Sequence, residues 1–176
     1  KYENVRVTIP RTVVVATDYF DAFIRNNGLE YVLTTEMTDE EILSEFVSST
    51  LPYKLREALK AYVRTVSGPL AVRSSSKLED SHYQPFAGIY STYMIPYTEG
   101  NEDRQLRLLQ KAIKSVYAST YFAASKAYVQ SSQNLIAEEK MAVVIQEVCG
   151  TEQDGLYFTT LSGVARSINY YPIGDE

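Results

Sequence analysis

Apolar side chains recur every three or four positions in three stretches of the first half of the chain, which is the spacing of amphipathic helices. The first stretch follows the β-branched run at 13–15, which predicts a buried strand, and Gly28 is placed to end it. The second begins at Thr38, which with Glu41 has the spacing of a capping box. The third follows Pro52, a residue that suits the first turn of a helix.

The second half combines strand-like runs with one long periodic stretch. Apolar positions from 106 to 128 advance by three or four residues, which predicts one helix of about six to seven turns or two helices in line. The segment 150–155 is predicted as a turn, and the last two strand-like runs as a hairpin-like pair joined at 162–163. Strands are predicted at 70–74, 88–95, 142–145, 156–160 and 164–171. Helices precede strands more than they alternate with them, which favours an α+β fold over a doubly wound sheet.

Composition narrows the class of protein. The chain has 176 residues, a net charge of −5, one cysteine and one histidine. The acidic balance argues against general nucleic-acid binding, and a single cysteine excludes an internal disulfide framework. No apolar run approaches the roughly 18 residues of a membrane helix, so no membrane association is expected and a cytoplasmic protein is the default interpretation. The chain is also expected to be truncated at both ends, as part of a longer protein.

The most informative segment is a serine-rich loop that follows an apolar run. Its sequence is Ala-Val-Arg-Ser-Ser-Ser-Lys-Leu-Glu-Asp at 71–80, followed by Phe-Ala-Gly at 86–88. A guanidinium beside hydroxyls and backbone donors suits a phosphate chain, so Arg73 is a candidate phosphate ligand. The residues alone leave open an ordinary ion pair with Glu79 or Asp80. Neither a Walker P-loop nor a Gly-x-Gly-x-x-Gly pattern is present in the sequence.

This segment resembles the ATP-binding domain of the phosphoenolpyruvate synthase and pyruvate phosphate dikinase family, which has an ATP-grasp fold. The resemblance rests on Val-Arg-Ser-Ser at 72–75, Glu-Asp at 79–80, Phe-Ala-Gly at 86–88 and the later Thr92. It implies that Arg73 contacts the ATP phosphates and that Thr92 lies near them. It also implies that Ser74, Ser75 and Gly88 let the backbone approach the phosphates.

Two later segments extend the resemblance. The apolar run from 141 that ends in Gln146, Glu147 and Val148 is similar to the family's hinge strand, where adenine is held by backbone groups. The sequence Ser-Gly-Val-Ala at 162–165 resembles a strand that lines the nucleotide cleft. Its neighbour Arg166 replaces the usual phenylalanine and could either approach phosphate or pair with a surface acid. The resemblance implies a first ATP-grasp-like subdomain over 1–140, and a hinge strand with the start of a truncated second subdomain over 141–176.

The function implied is the ATP-binding portion of a dikinase-type phosphotransferase similar to phosphoenolpyruvate synthase. Such an enzyme converts ATP, pyruvate and water to phosphoenolpyruvate, AMP and phosphate through a phosphohistidine in another domain. The ligands of Mg²⁺ and the pyruvate site are expected outside this chain, which alone is expected to be inactive, and the longer protein is a possible homodimer. Two alternatives stay open: a non-catalytic nucleotide-binding or regulatory module, and a related water dikinase with another acceptor.

Overall fold

A computed structural model describes residues 7–76, 90–131, 139–159, 161–163 and 167. A short 3₁₀ helix, Leu29–Leu33, lies between the first two α-helices. The elements in chain order are β1 (Thr12–Val15), α1 (Thr17–Asn27), α2 (Asp39–Ser48), α3 (Tyr53–Val63), β2 (Leu70–Ser76), β3 (Tyr93–Ile95), α4 (Glu102–Ser119), α5 (Ala123–Ser131), β4 (Met141–Glu147), β5 (Thr151–Gln153) and β6 (Leu156–Phe158).

The helix boundaries follow local signals. Gly28 ends α1 in the left-handed region at φ 63°, which a glycine adopts without steric cost. Thr38 and Glu41 form the predicted capping box at the start of α2. The Glu41 amide donates to the Thr38 hydroxyl at 3.2 Å, and the Thr38 amide donates to the Glu41 carboxylate at 2.8 Å. The helix predicted after Pro52 begins at Tyr53.

Four strands form one antiparallel sheet in the order β1-β4-β2-β3, and β5 pairs with β6 in a separate hairpin. Helices α1 and α4 pack on one face of the sheet. Alternate residues of the two central strands point to that face and are buried, because successive side chains of a strand alternate between its faces. They are Leu70, Val72, Met141, Val143 and Ile145. The mixture of clustered helices and antiparallel strands confirms the predicted α+β class.

Aromatic rings fill the centre of the helical layer. Tyr117 of α4 contacts Phe20 edge-on, with ring centroids 5.0 Å apart, and Phe23 at 5.5 Å. Phe46 of α2 packs against Phe23 at 5.7 Å and against Tyr121 at 5.5 Å. These contacts hold α1, α2 and α4 together on one side of the sheet.

Two predicted elements have contacts with distant segments. In the described part of the strand predicted from 88 to 95, residues 90–92 are not in a strand and Tyr93–Ile95 is paired. Tyr90 is instead 5% exposed and its hydroxyl donates to Glu139 at 3.3 Å. The long periodic stretch, predicted as one helix or as two helices in line, is two helices, α4 and α5. Asp39 of α2 accepts a hydrogen bond from the amide of Ala123 at 2.8 Å and so caps the start of α5.

The turn predicted at 150–155 was wrong in its extent, because this segment contains a strand. β5 lies inside it and pairs with β6 through Asp154 and Gly155, whose φ angles are 52° and 77°. Positive φ at both central residues is typical of the two-residue turn that fits the twist of antiparallel strands. The expected partner strand at 164–171 falls mostly outside the described residues.

The predicted division at 140/141 stays a prediction. β4, which begins at that point, pairs with both β1 and β2 in the middle of the sheet. In the part of the chain that the structure describes, no helix is both long and apolar enough to span a bilayer.

Candidate functional site

The face of the sheet opposite the helices, called here the open face, carries the predicted phosphate ligand. Arg73 alternates with Val72 along β2, so its guanidinium is on the open face and is exposed. It lies opposite Val144 of β4, and the side chain of Ser75 is on the same face. Arg73 has no ion pair or hydrogen-bond partner among the described residues. The guanidinium is therefore placed on a central strand with its donors directed to the outside.

Thr92 lies just before β3, next to the strand that carries Arg73. In the ladder between β2 and β3, Ala71 opposes Met94 and Val72 opposes Tyr93, which is the last described pair. Thr92, which is exposed, precedes Tyr93, and Arg73 follows Val72, so both residues adjoin the same end of this ladder.

The other predicted phosphate-loop residues, Ser74 and Gly88, are not placed beside Arg73 on the open face. Ser74 is two residues after Val72, so its side chain points to the same, helical side of the sheet, where it is partly buried. Gly88 lies outside the described residues, as do Glu79 and Asp80. The structure therefore places Arg73 and Ser75 on the same face of β2 and Thr92 just before the neighbouring strand β3, and their roles stay predictions.

The predicted hinge lies at the end of β4. Gln146 is on the open face, and its side-chain amide donates to the Thr12 hydroxyl at 2.9 Å. The backbone amide of Glu147 donates to the Arg11 carbonyl at 3.0 Å, and that of Val148 donates to the Pro69 carbonyl at 2.9 Å. Because both amides are occupied, an adenine at Glu147 or Val148 would have to use a carbonyl group.

Arg11 contacts the same end of β4. Its guanidinium donates to the Thr65 carbonyl and lies 3.7 Å from Oε1 of Glu147, whose side chain is 21% exposed. Tyr62 is close by: burial raises the pKa of its phenol, the Glu147 carboxylate adds to the rise, and Arg11 opposes it. The Arg11 contacts therefore connect β1, the loop after α3 and the end of β4.

A cleft of about 460 Å³ opens at this end of the sheet. Its walls are the segment before β2, the end of β3, the residue after β4, and the hairpin β5–β6. Most of the groups that line the cleft are apolar side chains or backbone. Glu152 is the acidic residue among the described residues that line it. They include Gly68, Pro69, Met94, Val148, Leu156 and Tyr157. Met94 also belongs to the open face, since it opposes Ala71, so the cleft is continuous with the face that carries Arg73.

Gly150 fixes how closely the hairpin approaches the end of β4. A Cβ at this position would lie 2.4 Å from the carbonyl oxygen of Phe158 and 2.8 Å from the Tyr157 ring. Only a residue without a side chain allows this contact, and Tyr157 is one of the residues that line the cleft.

Within the described ranges, no three or more histidine, cysteine, aspartate or glutamate side chains come together as a metal-binding group. The single cysteine, Cys149, is exposed and has no disulfide partner. The described part of the site is therefore a cationic strand face joined to an apolar cleft.

Comparison with known proteins identifies the family of this chain. The family described as "Pyruvate phosphate dikinase, AMP/ATP-binding domain" matches residues 2–174. The chain belongs to this family. The chain is also 30% identical over 158 residues to an uncharacterized phosphotransferase, YvkC, of Bacillus subtilis (strain 168), covering 86% of this chain and 17% of that protein.

A second relative is the phosphoenolpyruvate synthase of Aeropyrum pernix, which is 29% identical over 175 residues, covering 87% of this chain and 20% of that protein. The chain thus spans about a fifth or less of the length of these relatives. Membership confirms the resemblance seen at 72–92 and 141–148, and with it an AMP/ATP-binding domain of the dikinase type.

Sequence reasoning proposed Arg73, Thr92 and a hinge at 146–148, whose roles stay predictions, and missed the walls of the cleft. The Asp-Gly pair at 154–155 was a usable signal, because this pair favours a tight hairpin turn. It would have paired residues 151–153 with the strand predicted at 156–160, as in the structure.

Proposed function

We propose that this chain is the ATP-binding portion of a dikinase-type phosphotransferase with an ATP-grasp-like arrangement. In this proposal the adenine occupies the cleft beside Val148, and the triphosphate extends along the open face towards Arg73. The observation that carries the proposal is the exposed, unpartnered guanidinium on the same face as Met94, a wall of the cleft.

The separation of the two ends supports this arrangement. Pro69 lines the cleft and Arg73 is four residues further along the chain. At about 3.3 Å per strand residue, the two are roughly 13 Å apart, a length comparable to an extended nucleoside triphosphate. Arg73 and the cleft can therefore hold the two ends of one molecule.

The chemistry expected of these residues is charge neutralisation and positioning. The Arg73 guanidinium offers a planar set of N–H donors that matches phosphate oxygens, and the Thr92 hydroxyl can donate to the same group. Mg²⁺, when bound, would neutralise the developing charge on the phosphates, and we expect its acidic ligands outside this chain. Neither Arg73 nor Thr92 has to exchange a proton in this role.

For the whole protein we propose the phosphoenolpyruvate synthase reaction, in which ATP, pyruvate and water give phosphoenolpyruvate, AMP and phosphate. Its support is the printed name of the Aeropyrum relative together with the family membership. The phosphohistidine and pyruvate sites would lie in other domains, so this chain alone should not catalyse the reaction. A cytoplasmic location and a homodimeric protein are parts of the same proposal.

Replacing Arg73 with alanine in the intact protein tests the proposal. Loss of one preorganised charge-stabilising donor should cost about 2–4 kcal/mol in phosphoryl transfer, or roughly 30- to 900-fold in rate. Stability should change by less than about 0.5 kcal/mol, because the side chain is exposed and has no partner in the described structure. The readouts are steady-state kinetics and urea unfolding.

Arg107→Ala is the matched control, since Arg107 is an exposed arginine on α4, the helix that packs behind the sheet. It should leave both rate and stability unchanged. Equal activity in Arg73→Ala and Arg107→Ala would remove the basis of the proposal.

A further inference from the structure

A second cavity, of about 330 Å³, lies between the end of α3 and the start of α4. Val63, Val66 and Gln105 line it and are buried, whereas most of its other lining residues are exposed. The buried residues therefore form the floor of this cavity and the exposed ones its rim. Tyr97 lines both this cavity and the cleft beside β4, so the two share a wall.

The floor of the cavity carries an unpaired carboxamide. Gln105 is 2% exposed, and neither Nε2 nor Oε1 of its side chain has a hydrogen-bond partner among the described residues. A buried polar group without a partner costs free energy, because it has lost its water and gained no other bond. Further along α4 the buried residues include Leu109, Ile113 and Val116, so an apolar side chain at position 105 would serve the fold better. A ligand therefore accounts for Gln105 better than the packing does.

The rim of the cavity disfavours an anion. The start of α4 is already capped by the side chain of Asn101, and its first turn carries Glu102 and Asp103. The Arg64 guanidinium lies 3.2 Å from the Glu102 carboxylate and is neutralised by it. The described lining residues thus supply one cation and two carboxylates, so a neutral ligand is favoured over a negatively charged one.

The chemistry of Gln105 defines the group that would pair with it. A carboxamide offers N–H donors and a carbonyl acceptor side by side. A second amide matches it with two hydrogen bonds, one in each direction, whereas a carboxylate can only accept. The last torsion of a glutamine side chain is broad, so the Gln105 amide can turn towards a ligand in the cavity. Val63, Val66 and the ring of Tyr97 suit a flat apolar body attached to that amide.

We propose that this cavity binds a small neutral molecule that carries a carboxamide, held by two hydrogen bonds to the side chain of Gln105. The proposal goes beyond the binding of ATP and does not rest on it. Gln105, Val63 and Val66 are not among the described residues that line the cleft, so the two ligands would occupy separate sites.

The probe is nicotinamide, and its carboxylate analogue nicotinate is the matched control ligand. Both are titrated into the intact protein and followed by ligand-observed NMR, with a non-hydrolysable ATP analogue present to fill the cleft. We expect nicotinamide to bind, and nicotinate to bind roughly 5- to 150-fold more weakly, the range of two net hydrogen bonds. Absence of nicotinamide binding, or equal affinity for the two probes, would overturn the proposal without any substitution in the protein.

Gln105→Met locates the bound probe, because methionine has a similar length and neither polar atom. It should lower the affinity for nicotinamide by the same 5- to 150-fold. Its stability in urea should be equal or higher, since an unpaired buried amide is removed. Gln110→Met is the matched control, because Gln110 is on the same helix, is only partly buried and does not line the cavity. It should leave the affinity for nicotinamide unchanged.

Two results with these variants would contradict the proposal. Unchanged nicotinamide affinity in Gln105→Met would show that the probe binds elsewhere. A marked loss of stability in Gln105→Met would show that the carboxamide already has a partner in the free protein. If the ATP analogue does not bind, the proposed function fails, and the comparison of Gln105→Met with Gln110→Met still decides this inference.

Discussion

Gly150→Ala is expected to move the hairpin β5–β6 and weaken adenine-nucleotide binding while leaving the main sheet intact. The new Cβ would lie 2.4 Å from the Phe158 carbonyl oxygen, whereas ordinary van der Waals contact begins at 3.4 Å. The hairpin must therefore retreat by about 1.0 Å, the difference between these two distances. The φ angle of Gly150 is outside the left-handed region, so the substitution acts through this contact and the one with the Tyr157 ring, 2.8 Å away, and not through backbone strain.

This movement of the hairpin should lower the affinity for the nucleotide and leave the free energy of unfolding nearly unchanged. Leu156 and Phe158 are 62% and 50% exposed, so the hairpin can shift without disturbing a packed core. A gap of 0.5–1 Å forfeits a quarter to a half of a dispersion contact. If the base packs on Tyr157 with roughly 1–3 kcal/mol of stacking energy, the loss is about 0.3–1.5 kcal/mol, or about 2- to 12-fold in affinity.

The assay is calorimetric titration with AMP and ATP, with urea unfolding of the same variant. Arg107→Ala is again the control, because Arg107 is exposed on α4, which packs on the other face of the sheet. Unchanged AMP affinity in Gly150→Ala, or an equal loss in Arg107→Ala, would show that the base does not contact the hairpin. A large loss of global stability in Gly150→Ala would show that the hairpin is part of the core.

Two further predictions concern stability. Tyr117→Phe keeps the ring contacts with Phe20 and removes a buried hydroxyl that has no partner among the described residues, so urea unfolding at neutral pH should show equal or higher stability. Burial, with a smaller effect of Asp18, raises the pKa of Tyr117 above its ordinary 10.0. The unfolded chain therefore ionises first, and stability lost above pH 10.0 should be smaller in Tyr117→Phe; an identical alkaline loss would contradict this.

Thr38→Ala should lower stability by roughly 0.5–2 kcal/mol in urea unfolding, through loss of the helix cap. Hydrogen bonds from the Thr38 amide and hydroxyl lower the pKa of Glu41 below its ordinary 4.5, so this carboxylate stabilises the fold above pH 4.5 and the contribution is lost as the pH falls below it. In Thr38→Ala, the free energy of unfolding should therefore fall less steeply as the pH drops below 4.5. An unchanged pH dependence in this range would contradict the stabilising role of the capping box.

Local chemistry was sufficient to predict a large part of this fold. Gly28 ends a helix because only its missing side chain permits the left-handed turn, and Thr38 with Glu41 starts one through contacts three residues apart. The alternation along β2 likewise follows from the sequence, which separates Arg73 from Val72. The arginine motif was also readable, since it rests on neighbours in one segment, and family membership confirmed the resemblance.

The tertiary structure alone decided the features that depend on distant segments. Asp39 caps α5 across 84 positions of sequence, and the Tyr90 hydroxyl donates to Glu139, which is 49 positions away. The hairpin that lines the cleft approaches Gly150, and the Val148 amide donates to the Pro69 carbonyl. Each of these contacts joins residues that pack together only after the chain has folded, and periodicity along the sequence carries no record of which segment will be the neighbour.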